Sequence, residues 1–292
     1  MTTKAGKGTC CGTGQTAAVP PEEIRRSVKE RYGRLVGTTA ACCGQGGAGR
    51  SLDARVAALS AGYTDEQLAQ VPEHAAQHSF GCGNPVALAG LKPGQTVLDI
   101  GSGAGIDVLL AAEKVGPNGR VIGLDLTPEM IDAARKNAAE AGATNVEFRL
   151  GDAEAMPVES GAVDWIISNC VINLAPDKAK VFREAFRVLR PGGRLLVSDI
   201  VTHDLPAPVR QSIAAWTACV AGALEEEDYL EAVRAAGFTD VQIVARIDYE
   251  EESLRALACE SDAVPPEIAR LAPTLAGKVA SIKVSAVKAE GR

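Results

Sequence analysis

Residues Val97-Leu98-Asp99-Ile100-Gly101-Ser102-Gly103-Ala104-Gly105 read as an apolar strand that breaks into a glycine turn and then a helix from Ile106. Such a turn needs positive φ angles and close backbone approach, which glycine supplies at the lowest steric cost. The chain then repeats this strand-and-helix unit. Strands over Arg120–Leu124, Val146–Leu150, Val163–Ser168 and Arg194–Asp199 alternate with helices over Ile106–Val115, Pro128–Ala141 and Lys178–Leu189. Pro191-Gly192-Gly193 ends the last of these helices. Alternation of this kind predicts an α/β fold, a mostly parallel doubly wound sheet with helices on both faces.

The remainder divides around that core. Residues 1–20 are small and polar and are expected to be flexible. Residues 21–90 read as an N-terminal cap. Its first helix starts at Pro20-Pro21 and puts Ile24, Val28, Tyr32 and Leu35 on one face. A glycine-rich loop, Thr38 to Arg50, carries Cys42-Cys43, and short helices are expected near Asp53–Leu59 and Asp65–Gln70. Residues 91–200 form the core. Residues 201–292 add a helix over Ala207–Val220 bearing Cys219, a helix over Glu227–Ala236, strands over Val241–Ile247 and Ser281–Val287, and a mixed stretch around Pro265-Pro266.

Charge and composition exclude several classes. A net charge of −7 disfavours a nucleic-acid partner, which calls for a basic face. The longest apolar stretch, Ile213 to Leu224, falls short of the roughly 20 residues that span a bilayer. The start of the chain lacks the apolar region of a secretory signal, so a cytoplasmic location is expected. Eight cysteines in a chain of 292 residues are too sparse for a disulfide scaffold, and no Cys-x-x-Cys pair suggests a zinc ribbon. His74, His78 and His203 are too few and too scattered for a metal site. No metal cofactor is expected.

Ligands of such sheets bind at the carboxyl ends of the strands. The glycine spacing is G-x-G-x-G, and Ile106 stands where a dinucleotide fingerprint would need its last glycine. Asp125 ends the second strand, where a carboxylate takes both hydroxyls of a ribose. Cys170 comes after the fourth strand in Ser168-Asn169-Cys170-Val171-Ile172-Asn173-Leu174. Cys82 sits in Phe80-Gly81-Cys82-Gly83-Asn84-Pro85, and Cys219 in Cys219-Val220-Ala221-Gly222. Isolated thiols around a cofactor domain suit a soft, thiophilic substrate. Core packing and direct acceptance of a group by the thiol are the competing readings.

With Asp99-Ile100-Gly101-Ser102-Gly103-Ala104-Gly105, Asp125 and Gly151-Asp152-Ala153-Glu154 in order, the chain resembles the class I S-adenosylmethionine-dependent methyltransferases. The resemblance implies their Rossmann-like sheet and S-adenosylmethionine as methyl donor. It implies cofactor contacts from Asp99, Gly101, Ser102, Gly103, Gly105, Asp125, Leu126, Met130, Asp152, Ala153 and Asn169. Asp152 would meet the adenine amino group, and Asn169 the amino-acid part.

The contexts of Cys82, Cys170 and Cys219, and Val28-Lys29-Glu30-Arg31-Tyr32-Gly33 ahead of Cys42-Cys43, resemble the arsenite methyltransferases from about residue 22 onward. This resemblance implies arsenite or its thiol conjugates as substrate, with mono- and dimethylarsenicals as products. Cys170 and Cys219 would hold trivalent arsenic, with Cys82 the third ligand. Cys42 or Cys43 would pair with Cys82 as a disulfide that thioredoxin or glutathione resets. A monomer is expected. Adjacent side chains of an extended loop point opposite ways, so one of Cys42 and Cys43 serves the site, with Cys43 preferred. Cys10-Cys11 falls in the tail, Cys259 is assigned to a helix core, and Trp216 walls the pocket or fills core. Two other functions share parts of this pattern: methylation of a small organic acceptor, with the cysteines incidental, and metalloid binding without turnover.

Overall fold

The computed structural model describes residues 19–37, 55–56, 58–79, 81–210, 212, 219–252, 254 and 270–290. Cys10, Cys11, Cys42, Cys43, Trp216 and Cys259 lie outside the described residues.

A seven-stranded sheet organises the chain. Its strands are β1 (Thr96–Ile100), β2 (Arg120–Asp125), β3 (Val146–Leu150), β4 (Val163–Asn169), β5 (Leu189–Thr202), β6 (Thr239–Asp248) and β7 (Val279–Val287), in the order β3-β2-β1-β4-β5-β7-β6. The first five run parallel, and β7 is antiparallel to both β5 and β6. Chain order reverses between β1 and β4. Ligands of open α/β sheets bind at such a switch point. The register places Ile100 beside Leu124 on one side and beside Ser168 on the other. The carboxyl ends of β1, β2 and β4 therefore open onto one edge.

Helices cover both faces, which is why the inner strands read as nearly continuous apolar runs. On one face α5 (Ile106–Val115) and α6 (Pro128–Glu140) pack on Val97, Val121 and Ile167, joined by α2 (Asp65–Ala69) and α3 (Glu73–Gln77) of the cap. On the other face lie α7 (Lys178–Val188) and α9 (Glu226–Ala235). Phe182 of α7 meets Tyr229 of α9 edge-on at 5.3 Å, both fully buried. Burying each aromatic ring is worth about 2–3 kcal/mol. A third apolar cluster sits at the carboxyl edge. There Ile24 and Val28 of α1 (Pro21–Gly37) pack with Cys170, Cys219 and Val209.

Two expectations need correction. β5 begins at Leu189, which pairs with Val163 of β4, rather than at Arg194, and it runs to Thr202 because β7 pairs with it from Arg194 to Thr202. The helix predicted over Ala207–Val220 ends early. α8 covers only Ala207–Arg210, Ser212 lies outside any helix, and Cys219 is in a turn with φ of 63°. A left-handed residue cannot continue a right-handed helix. Two further helices, α4 (Pro85–Leu88) and α10 (Ala272–Leu275), are single turns of 4 residues each. No helix among the described residues is long and apolar enough to cross a membrane.

Candidate active site

The turn after β1 is tied to β2: the Gly101 and Ser102 amides donate to the Leu124 carbonyl at 2.7 and 3.0 Å. Gly101 has φ of 76°, and a Cβ there would fall 2.0 Å from Val171. Only glycine satisfies both demands. Asp125 is aimed by two backbone donors, Gly103 N on Oδ2 at 2.9 Å and Thr127 N on Oδ1 at 2.8 Å. Burial pushes its carboxyl up, and these donors oppose the rise. Between the turn and Asp125 opens a cleft. Gly101, Ser102, Gly103, Leu126, Met130 and Ala153 line it, together with Asp125, Asp152, Asn169 and Cys170. The Ser102 hydroxyl is buried without a hydrogen-bond partner among the described residues. A close glycine turn, an aimed carboxylate and an unsatisfied hydroxyl fit a nucleoside-bearing ligand.

Two expected residues stand behind the wall. Gly105 caps α5 with φ of 95°, and Asp99 is buried under the turn. Burial first, then the nearby carboxylates Asp107 and Asp125, push the Asp99 carboxyl well up.

The sequence reading missed Asp107, Tyr63 and Arg25. Asp107 lines the cleft and takes the Tyr63 hydroxyl at 3.0 Å from each of its oxygens. Burial raises its carboxyl to about 6, against the donations of Tyr63 and Asn169. The available signal was its place on the first turn of α5, directly after the glycines. Arg25 of α1 crosses the cleft to Asp152, Nε to Oδ2 at 3.0 Å, and to Glu154, Nη2 to Oε2 at 2.6 Å. The other Asp152 oxygen accepts from Glu154 N at 2.8 Å. Asp152, expected to meet adenine, is here the anchor of α1. No local pattern in the sequence links Arg25 to Asp152, 127 residues away.

Asn169 lines the cleft and also ties the cap to the sheet. Its Nδ2 donates to the Gly83 carbonyl at 2.5 Å, and its Oδ1 accepts from Gly83 N at 3.1 Å. This clamp fixes the Cys82 segment to the end of β4, and Ser281 Oγ holds the Cys82 carbonyl at 3.0 Å from β7. A Cβ at Gly83 would fall 2.1 Å from Ser198 Oγ, so the segment can lie this close only as glycine. The clamp brings Cys82 beside Cys170, and the two form a disulfide with Cα atoms 5.8 Å apart. The expected partners of Cys82 were Cys42 or Cys43, so the observed pairing replaces that expectation in this state. Cys219 is the free cysteine among the described residues, buried, with its thiol donating to the Cys170 carbonyl at 3.0 Å. Burial pushes that thiol up to about 12. Cys82 and Cys219 thus both meet Cys170, which lines the cleft. His74 and His78 stack at 4.2 Å, and His78 Nδ1 donates to the His74 carbonyl at 2.8 Å.

Comparison with known proteins agrees with this architecture. A family model described as "Methyltransferase domain" matches residues 91–237. An arsenite methyltransferase of Halobacterium salinarum is 46% identical over 240 residues, covering 79% of this chain and 61% of that protein. One from Aquipseudomonas alcaligenes is 35% identical over 76% of this chain and 64% of its own length. The chain therefore spans about three fifths of the curated relatives it matches. The crystal structure of an arsenic(III) S-adenosylmethionine methyltransferase from Chlamydomonas reinhardtii superposes with a TM-score of 0.65 at 35% identity, covering 78% of this chain and 74% of that one. This chain belongs to the arsenite methyltransferase family, within the S-adenosylmethionine-dependent methyltransferases.

Proposed function

We propose that the protein methylates trivalent arsenic with S-adenosylmethionine and yields mono- and dimethylarsenicals. The observation that carries this reading is the meeting of Cys82 and Cys219 at Cys170, which lines the cofactor cleft. S-adenosylmethionine, when bound, supplies an electrophilic methyl group on a sulfonium. Asp125 would take the ribose hydroxyls, the close Gly101–Gly103 turn and the Ser102 hydroxyl would meet the rest of the cofactor, and the Asp107 carboxylate would suit an ammonium. The three thiolates, once free, hold arsenic in a pyramid and leave its lone pair open towards the cleft. Burial around Cys219 keeps water from the site.

Methylation consumes the arsenic lone pair and leaves arsenic pentavalent. Oxidation of two site thiolates to a disulfide returns two electrons and restores the trivalent state. The Cys82–Cys170 bond corresponds to the oxidised form of that couple. A dithiol reductant of the thioredoxin type, or glutathione, then frees the ligands. Cys42 or Cys43 would extend the exchange. We assign the protein a monomeric state and a cytoplasmic location, where such reductants are present.

The test supplies purified protein with arsenite, methyl-labelled S-adenosylmethionine and thioredoxin, and separates the arsenic species. Labelled methylarsenicals that disappear in Cys170→Ser and Cys219→Ser proteins are expected. Full activity in either variant would overturn the ligand assignment. Arsenic binding without methylation would favour a binding protein.

A further inference from the structure

The α1 helix lies across the cleft and packs on α6 and on the 3-10 turn Ile172–Leu174 just beyond Cys170. Two residues of its inner side reach functional groups. Arg25 bridges Asp152 and Glu154 at one end. Tyr32, seven residues and about two turns further on, lines the cleft and packs in the cluster that contains Cys82, Cys170 and Cys219. Its hydroxyl is hydrogen-bonded to Cys219. A phenol hydroxyl beside a sulfur donates most strongly when the sulfur is a thiolate. It cannot be replaced there by the Cys170 carbonyl, which only accepts.

We infer that Tyr32 is a positioning residue for the metalloid: carried in by α1, its hydroxyl donates to the Cys219 sulfur and holds it on the cofactor side of the site. This inference rests on the arsenic reading of the three cysteines. In the protonated state Cys219 gives its hydrogen to the Cys170 carbonyl. Once that proton leaves, the carbonyl and the sulfur lone pairs repel, and the Tyr32 hydroxyl is the donor in place to receive the charge. The Arg25 bridge fixes α1 on the cofactor-binding core, so the hydroxyl is delivered only when the helix is seated. The motif Val28-Lys29-Glu30-Arg31-Tyr32-Gly33 thereby gains a chemical role.

The test compares the reduced full-length wild type with Tyr32→Phe, Cys219→Ser, the double variant and Arg25→Gln. Arsenite binding is read by equilibrium dialysis, cofactor binding by calorimetry, and methylation as separate kcat and KM. Tyr32→Phe is expected to keep cofactor affinity within about twofold and to weaken arsenite binding and raise its KM about tenfold, the worth of one hydrogen bond to a charged group. In the Cys219→Ser background the same change should have no further effect. Arg25→Gln should weaken arsenite binding in the same direction although it touches no sulfur. Arsenite affinity unchanged in Tyr32→Phe, an equal loss in the Cys219→Ser background, or a matching fall in cofactor affinity would each overturn the inference. A wild type that binds no arsenite would sink the arsenic reading and the inference together. A wild type that binds and methylates arsenite while Tyr32→Phe equals it would sink the inference alone.

Discussion

The Cys219 thiol donates to the main-chain carbonyl of Cys170 at 3.0 Å, while the Cys170 sulfur is bonded to Cys82. Residues 49 apart in sequence are thus joined through backbone as well as through their proposed shared ligand. Both cysteines have left-handed backbone, φ of 59° and 63°. Such conformations cost about 1–3 kcal/mol for a non-glycine residue and persist where the surroundings over-determine them. Here the Ser198 carbonyl holds the Cys170 amide at 2.7 Å, and α1 covers both residues.

The disulfide gives the first prediction. Protein purified without reductant and trapped with a maleimide should show two fewer reactive thiols than the reduced protein. Arsenite binding should appear only after reduction, because two of three ligands are otherwise consumed. The bond closes a loop with a sequence separation of 88, so reduction should also lower stability by up to about 4–5 kcal/mol in the chain-entropy account. Equal arsenite binding by oxidised and reduced protein would contradict the ligand set.

Gly101→Ala is the second. The new methyl would fall 2.0 Å from the Val171 side chain at a residue with φ of 76°. Either the turn shifts or Val171 moves, and Val171 is the direct neighbour of Cys170. Cofactor affinity, measured by calorimetry, should fall at least tenfold, and the melting temperature should fall with it. A variant with wild-type affinity would show that the turn does not set the cofactor site.

Much of this arrangement is legible in the sequence. The bounds of β1, α5 and β3 match the apolar runs, and Asp125 stands at the strand end that the period predicts. These features are local: a strand, a glycine turn and a helix are each specified by neighbours in sequence. The features hidden from sequence depend on long-range geometry. Arg25 meets Asp152 because α1 folds back over the sheet, and Asn169 is spent on Gly83 because the cap lies against β4. The Ala207–Val220 stretch misleads for another reason, since Val209 and Cys219 share one apolar cluster although Ser212 and Cys219 lie outside a helix.

Loss of the cap's contact with the cofactor wall is the third prediction. Tyr63 is buried with its hydroxyl on both oxygens of Asp107, and Asn169 donates to that hydroxyl at 3.1 Å. Tyr63→Phe removes a donor from a buried carboxylate. The Asp107 carboxyl should then rise further from about 6, and the fraction ionised at neutral pH should fall. Cofactor affinity should drop in Tyr63→Phe at pH 6.5 and recover in part at pH 8.5. Calorimetry at the two values reads this directly, and a loss of equal size at both would assign Tyr63 a packing role only.

Asp199 of β5 supplies the last. It is buried beneath the thiol site and accepts the Tyr229 hydroxyl at 3.1 Å. Burial raises its carboxyl to about 7, although the Tyr229 donation and the Lys178 ammonium both favour the ionised form. Burial in turn lowers Lys178 to about 8, so Lys178 remains charged through the window concerned. In the unfolded chain an aspartate titrates near 3.9, roughly. Between about pH 4 and 7 the folded protein therefore holds a proton that the unfolded chain has lost, and stability falls as pH rises through that range. Asp199→Asn carries no such proton. Urea unfolding at pH 5 and pH 8 should show the wild type losing more stability across the interval than the variant, and Asp199→Asn gaining on the wild type at pH 8. Parallel pH dependence in the two proteins would mean that Asp199 is ionised in the fold, with Lys178 outweighing burial.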